Sequence, residues 1–150
     1  MIPRFTVVLP LVAMLAGCGA EESAPLTVSE MTIFAPLPGQ PAGVAYFSLQ
    51  NSSPAAVTLQ DISSPDFVAV EIHTTLQEGG IAQMLPVDAL TIAEHSEIAF
   101  TPGGPHLMLM GPLEDLGTGD TVTLEFIYTS EWDGEDVVGQ ISLRAPVQAR

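Results

Sequence analysis

Along the chain, short apolar runs alternate with turn signals at close intervals: "PLPGQP", "NSSP", "SSPDF", "QEGG", "TPGGP" and "GTGD". The runs are enriched in Val, Ile, Leu, Phe and Thr, and none shows a helical period. They predict strands over Leu26–Ala35, Gly43–Asn51, Val57–Ser63, Val68–Leu76, Ile81–Val87, Glu97–Thr101, His106–Gly111, Thr121–Thr129 and Val137–Val147. Many short strands at this spacing imply an all-β fold, a β-sandwich with Greek-key connections, in one domain over residues 26–148. There is no internal repeat and no low-complexity segment.

The period of two then gives side-chain direction. In "VAVEIH", Val68, Val70 and Ile72 share one face, which is expected to be core, and Ala69, Glu71 and His73 share the other. In "HLMLM", Leu107 and Leu109 share a face, so His106, Met108 and Met110 point the opposite way. The short "QEGG" link predicts a hairpin that brings Met84 near the end of the strand carrying His73.

Residues 1–18, "MIPRFTVVLPLVAMLAGC", have one arginine near the start, an apolar run too short to span a bilayer, and small residues at the end. The ending Leu15-Ala16-Gly17-Cys18 resembles the bacterial lipoprotein signal, which implies cleavage before Cys18 and lipid attachment to it. Gly19, rather than Asp, follows the cysteine, which by the same resemblance implies the outer rather than the inner membrane of an envelope facing the periplasm. Residues 19–25 read as a polar tether of at most about 25 Å. Cys18 is the only cysteine, so the domain itself has no disulfide.

The chain has 150 residues and is 47% hydrophobic but only 6% aromatic, which calls for a core of small and branched aliphatics. Three Lys+Arg face 18 Asp+Glu, giving a net charge of -15. That balance argues against nucleic-acid and anionic-lipid surfaces, and cations are the natural ligands of such a field.

Thioether is a soft, neutral ligand suited to Cu(I), and imidazole suits several late metals, so a mixed site points to copper. Ten residues separate His73 from Met84, twenty-one separate Met84 from His106, and one separates His106 from Met108. That order and spacing, with "PAGVAYFSLQN", "VEIHTT", "MLPV", "PGGPHLMLMGP" and "GDTVTLEF", resembles the PCuAC-type family, the periplasmic copper chaperones that serve the CuA centre of cytochrome c oxidase. The resemblance covers nearly the whole mature chain. One departure is that Thr74 and Thr75 follow His73, where the family often has a methionine.

The resemblance implies a cupredoxin-like sandwich with a shallow surface site, in which His73, Met84, His106 and Met108 hold Cu(I). Cu(II) is a second valence that the imidazoles also suit. It further implies a monomeric, non-enzymatic carrier that delivers copper to an oxidase subunit, with a Sco-type thiol protein as a second candidate partner. Glu71, on the face of His73, is an expected support for the cationic site. Met110 is expected to pack beneath it, with reserve ligation as the alternative.

Three other functions fit parts of the sequence. Copper sequestration would use the same donors. An interaction module of Ig-like fold would use none. An electron-transfer cupredoxin needs a cysteine thiolate, and the single cysteine is committed elsewhere. No serine-histidine-acid order and no phosphate loop is present. His95, in "AEHSE", is expected to be solvated and Met31 to be core. Trp132 sits in an acidic loop without an assigned role.

Overall fold

The computed structural model describes residues 24–132 and 134–150; Cys18, the signal segment and most of the tether lie outside them. Among the described residues there is no helix. Ten strands form two packed sheets. The first runs β1 (Leu26–Phe34), β2 (Ala42–Asn51), β8 (His106–Pro112), β4 (Phe67–Glu78), β5 (Ile81–Pro86), with β7 (Glu97–Phe100) also paired to β2. The second runs β10 (Glu135–Pro146), β9 (Thr121–Trp132), β3 (Val57–Ser63), β6 (Leu90–Ile92). Ladder neighbours are antiparallel, and one parallel bridge, Ile33 to Val147, ties the C-terminal end to β1.

The core lies between the sheets. Leu107 and Leu109 of β8 and Ile72 of β4 are buried in it, as their alternation predicts. Phe47 and Phe100, register partners on β2 and β7, stack with ring centroids 4.1 Å apart, and Phe126 meets Phe47 edge-on at 5.6 Å. These rings, with Phe67 and Tyr128, anchor a core otherwise filled by aliphatics.

Two local features place the site. β8 and β7 share one edge of β2 and lie end to end along it, pairing with Ala42–Ala45 and Phe47–Gln50 respectively. The chain between them is thrown out as the loop Thr101–Pro105, closed by Thr101 N–H to Pro105 C=O at 2.9 Å and Gly104 N–H to Thr101 C=O at 3.0 Å. His106 is the first residue after it. The second feature is the two-residue turn Gly79-Gly80, with φ of 61° and 82°, which lets β4 fold back as β5. Only glycine takes two successive positive φ values at no steric cost, so "QEGG" makes a tight hairpin.

Three sequence expectations change. Trp132, read as part of an acidic loop, ends β9 and pairs with Glu135 of β10, so most of that stretch is hairpin strand. β6 was not predicted; it pairs with β3, and its end is fastened by the buried Asn51, whose Nδ2 donates to the carbonyls of Ala55, Ile92 and Ala93 at 2.8, 3.2 and 3.0 Å. Val68, expected in the core, is 73% exposed. Opposite it Gly111 has φ of 59° and donates its N–H to Pro41, which interrupts the β4–β8 ladder. Phe67 takes the core position instead.

Candidate metal site

His73 and His106 are direct register partners across β4 and β8. Their ring centroids lie 6.2 Å apart with planes at 60°. Both project from the outer face of the first sheet, the face opposite Leu107 and Leu109, yet His106 is 7% exposed and the His73 side chain 16%. The expected outward direction is correct, but the imidazoles are covered more than a solvated strand face would be.

Each ring is held by one hydrogen bond. His106 Nδ1–H donates to the Gly104 carbonyl at 2.9 Å, so the loop before β8 sets its direction. His73 Nε2–H donates to Glu71 Oε2 at 2.8 Å, within an ion-pair distance on the same strand face. His73 Nδ1 is buried and has no hydrogen-bond partner. Burying such a nitrogen unsatisfied costs about 1–3 kcal/mol, and native proteins keep few such atoms without a reason.

Met108 lies on the same face, opposite Glu71 on β4 and Val44 on β2, and is half-buried. Its Cα is about 6.6 Å from that of His106, two residues of strand, a span that two converging side chains close on one ion. Met110, one step further, sits half-buried between Ala42 and Ala69.

Met84 is placed differently. It opposes Thr75, two residues past His73, on the same face. However, the β4–β8 ladder ends at the His73–His106 pair, so the rest of the β4–β5 hairpin projects as a two-stranded ribbon. Every residue of β5 is exposed, Met84 at 62%. Met84 and Met108 stand on opposite sides of the histidine row. On a flat sheet they are two strands and four residue steps apart, about 10 Å across and about 13 Å along. The structure thus brings together His73, His106 and Met108, and leaves Met84 poised on the ribbon, which must curl for all four donors to meet.

Among the described residues, no group of three or more His, Cys, Asp or Glu side chains converges so as to hold a metal. A site on this face therefore depends on thioether, which selects a soft ion. The cleft of about 340 Å³ beside β4 is lined by residues 60–62, 70–72 and 86–88, and none of the four donors lines it. His95 is exposed in a turn with φ of 48°, and Met31 packs against the core, as expected for each. The Pro102–Pro105 loop abutting His106 is the sequence signal for the Gly104 carbonyl that sets the direction of the ring.

The chain matches the family model described as "Putative lipoprotein LpqE-like" over residues 26–147. A copper-bound PCuAC domain from PmoF2 superposes with a TM-score of 0.65 at 20% identity, covering 85% of this chain and 95% of that one. The Cu(I) form of DR1885 from Deinococcus radiodurans gives a TM-score of 0.63 at 28% identity, covering 89% of this chain and 85% of that one. An uncharacterized protein, RP573 of Rickettsia prowazekii (strain Madrid E), is 34% identical over 84 residues, 55% of this chain and 46% of that protein. The matched stretch thus spans about half the length of this curated relative. The fold expected from the alternation pattern is the fold of PCuAC domains.

Proposed function

The chain belongs to the LpqE-like family of putative lipoproteins, with a PCuAC-type domain, and from that premise we propose that it is a copper chaperone of the cell envelope. In this reading Cu(I) is cargo, held by His73, Met84, His106 and Met108 and released to a recipient. The recipient is an oxidase subunit that assembles CuA, with a Sco-type thiol protein in the same route. Cys18 carries the lipid anchor, in the outer membrane, and the domain works as a monomer.

The observation that carries this reading is the directly opposed His73–His106 pair. An ion about 2 Å from a ring nitrogen lies about 3 Å from the ring centroid, so one ion can join rings whose centroids are up to about 6 Å apart, and the observed 6.2 Å is at that limit. The copper-bound PCuAC domain from PmoF2 and the Cu(I) form of DR1885 support copper as that ion. Delivery is favoured over sequestration by the ribbon: a donor 62% exposed on a two-stranded hairpin detaches without disturbing the core.

The test is a Cu(I) titration of the chain from Ala20 onward against a competing chromophoric chelator under reducing conditions. The expected result is one equivalent bound, lost in His106→Ala and Met108→Ala with the fold intact. No competitive binding would overturn the proposal and leave an interaction module of Ig-like fold.

A further inference from the structure

The two histidines are each held by an oxygen acceptor, at opposite ring nitrogens. A carbonyl oxygen and a carboxylate oxygen accept and do not donate, so each hydrogen bond states which nitrogen carries the proton. On His106 it is Nδ1, bonded to Gly104 at 2.9 Å, and the lone pair is on Nε2. On His73 it is Nε2, bonded to Glu71 at 2.8 Å, and the lone pair is on Nδ1, the buried nitrogen with no partner.

We infer that the site is asymmetric: Cu(I) meets His73 through Nδ1 and His106 through Nε2, and Glu71 is the positioning residue that fixes the first of these. The inference rests on the carrier reading for the identity of the ion. The rest comes from the hydrogen bonds. A metal-bound histidine takes its orientation from what its other nitrogen donates to, and here the two supports differ in kind. Gly104 is backbone, held inside the closed Thr101–Pro105 loop, and no side-chain substitution removes its carbonyl. Glu71 is a side chain, 45% exposed, so the support of His73 is open to mutation. Ligation by Nδ1 also satisfies the nitrogen that the fold leaves buried without a partner.

The experiment uses the uniformly 15N-labelled full chain and long-range ¹H–¹⁵N spectra of the imidazole rings, recorded above the pH range where free histidine titrates. Cu(I), being diamagnetic, leaves the spectra readable. Without metal, His73 is expected as the Nε2–H tautomer and His106 as Nδ1–H. Adding Cu(I) is expected to shift Nδ1 of His73 and Nε2 of His106. A shift at Nε2 of His73, or an Nδ1–H tautomer of His73 before metal is added, overturns the assignment. The expected tautomers with no response to Cu(I) would refute the carrier reading while upholding the hydrogen-bond assignment.

Glu71→Ala is expected to lower Cu(I) affinity by about 10- to 100-fold, the usual effect of losing a partner behind a ligating histidine. Glu71→Gln keeps an acceptor oxygen without the charge, and is expected to stay within a few-fold of the parent chain. Equal losses in the two variants would show that Glu71 acts through charge alone, and unchanged affinity in Glu71→Ala would show that it does not act at all. Either result overturns its role as a positioning residue, and backbone amide spectra confirm that both variants keep the fold.

Discussion

Met84→Ala separates ligation from packing more cleanly than any other change at the site. The side chain is 62% exposed on a ribbon that extends past the last β4–β8 pair, so its removal leaves no cavity. The expected cost to the fold is about 0.5 kcal/mol or less, as for surface substitutions away from special features. Met108 is half-buried between Val44 and Glu71, so Met108→Ala loses part of the roughly 2–5 kcal/mol of a fully buried methionine, about 1–2 kcal/mol. The metal readout has its own order. In the proposed site Met108 already stands on the histidine face, whereas Met84 would ligate only after the ribbon curls, and ordering even one or two residues offsets about 1–2 kcal/mol each. Met84→Ala is therefore expected to weaken Cu(I) binding about tenfold, or about 1.4 kcal/mol, and Met108→Ala by at least another factor of ten. Urea unfolding of the apo chains measures the first effect and chelator competition the second, with stopped-flow release placing the Met84 loss in the dissociation rate. Equal affinity losses in the two variants would refute the argument, because they would mean that Met84 needs no rearrangement. No loss in Met84→Ala would refute it from the other side, by removing Met84 from the ligand set.

Three further outcomes test the scaffold. Asn51→Ala strips the buried amide that binds the carbonyls of Ala55, Ile92 and Ala93 and accepts from Ser53, and is expected to destabilise the domain by about 2–4 kcal/mol in urea unfolding, with β6 the first segment to lose amide protection. Gly139→Ala places a Cβ inside the Tyr128 ring that crosses it, and is expected to lower Tm by several degrees where an exposed strand residue would not. Burial holds the Tyr128 phenol above its ordinary pKa of 10.0. The unfolded chain then ionises this group at a lower pH than the folded one, so its contribution is whole below about pH 10 and is lost as pH rises through the folded value. Tyr128→Phe is expected to flatten that alkaline decline in unfolding measurements.

Legibility followed the range of the interactions involved. Val57–Ser63 is bounded by turn residues, and its ends in the fold are those read from the pattern, although a bulge between Leu59 and Asp61 breaks its alternation. β6 escaped because three residues cannot display a period and its support, Asn51, lies about 40 positions away in the chain. Val68 was assigned to the core by parity, and parity fails where Gly111 takes a positive φ and its strand partner drops out of the ladder. At the site, the common face of His73, His106, Met108 and Met110 was readable from alternation, whereas the four-donor set came from the family resemblance. That His73 stands opposite His106 was not, since it depends on the register of two strands far apart in sequence. The exposure of Met84 depends on β4 outrunning β8, and strand lengths are where pattern reading is weakest.

The most direct measurement of the central claim is X-ray absorption on the Cu(I)-loaded chain. The account predicts a first shell of two nitrogens and two sulfurs, falling to a single sulfur in Met84→Ala with both nitrogens kept. A shell of nitrogen and oxygen alone, or one without imidazole nitrogen, would contradict it.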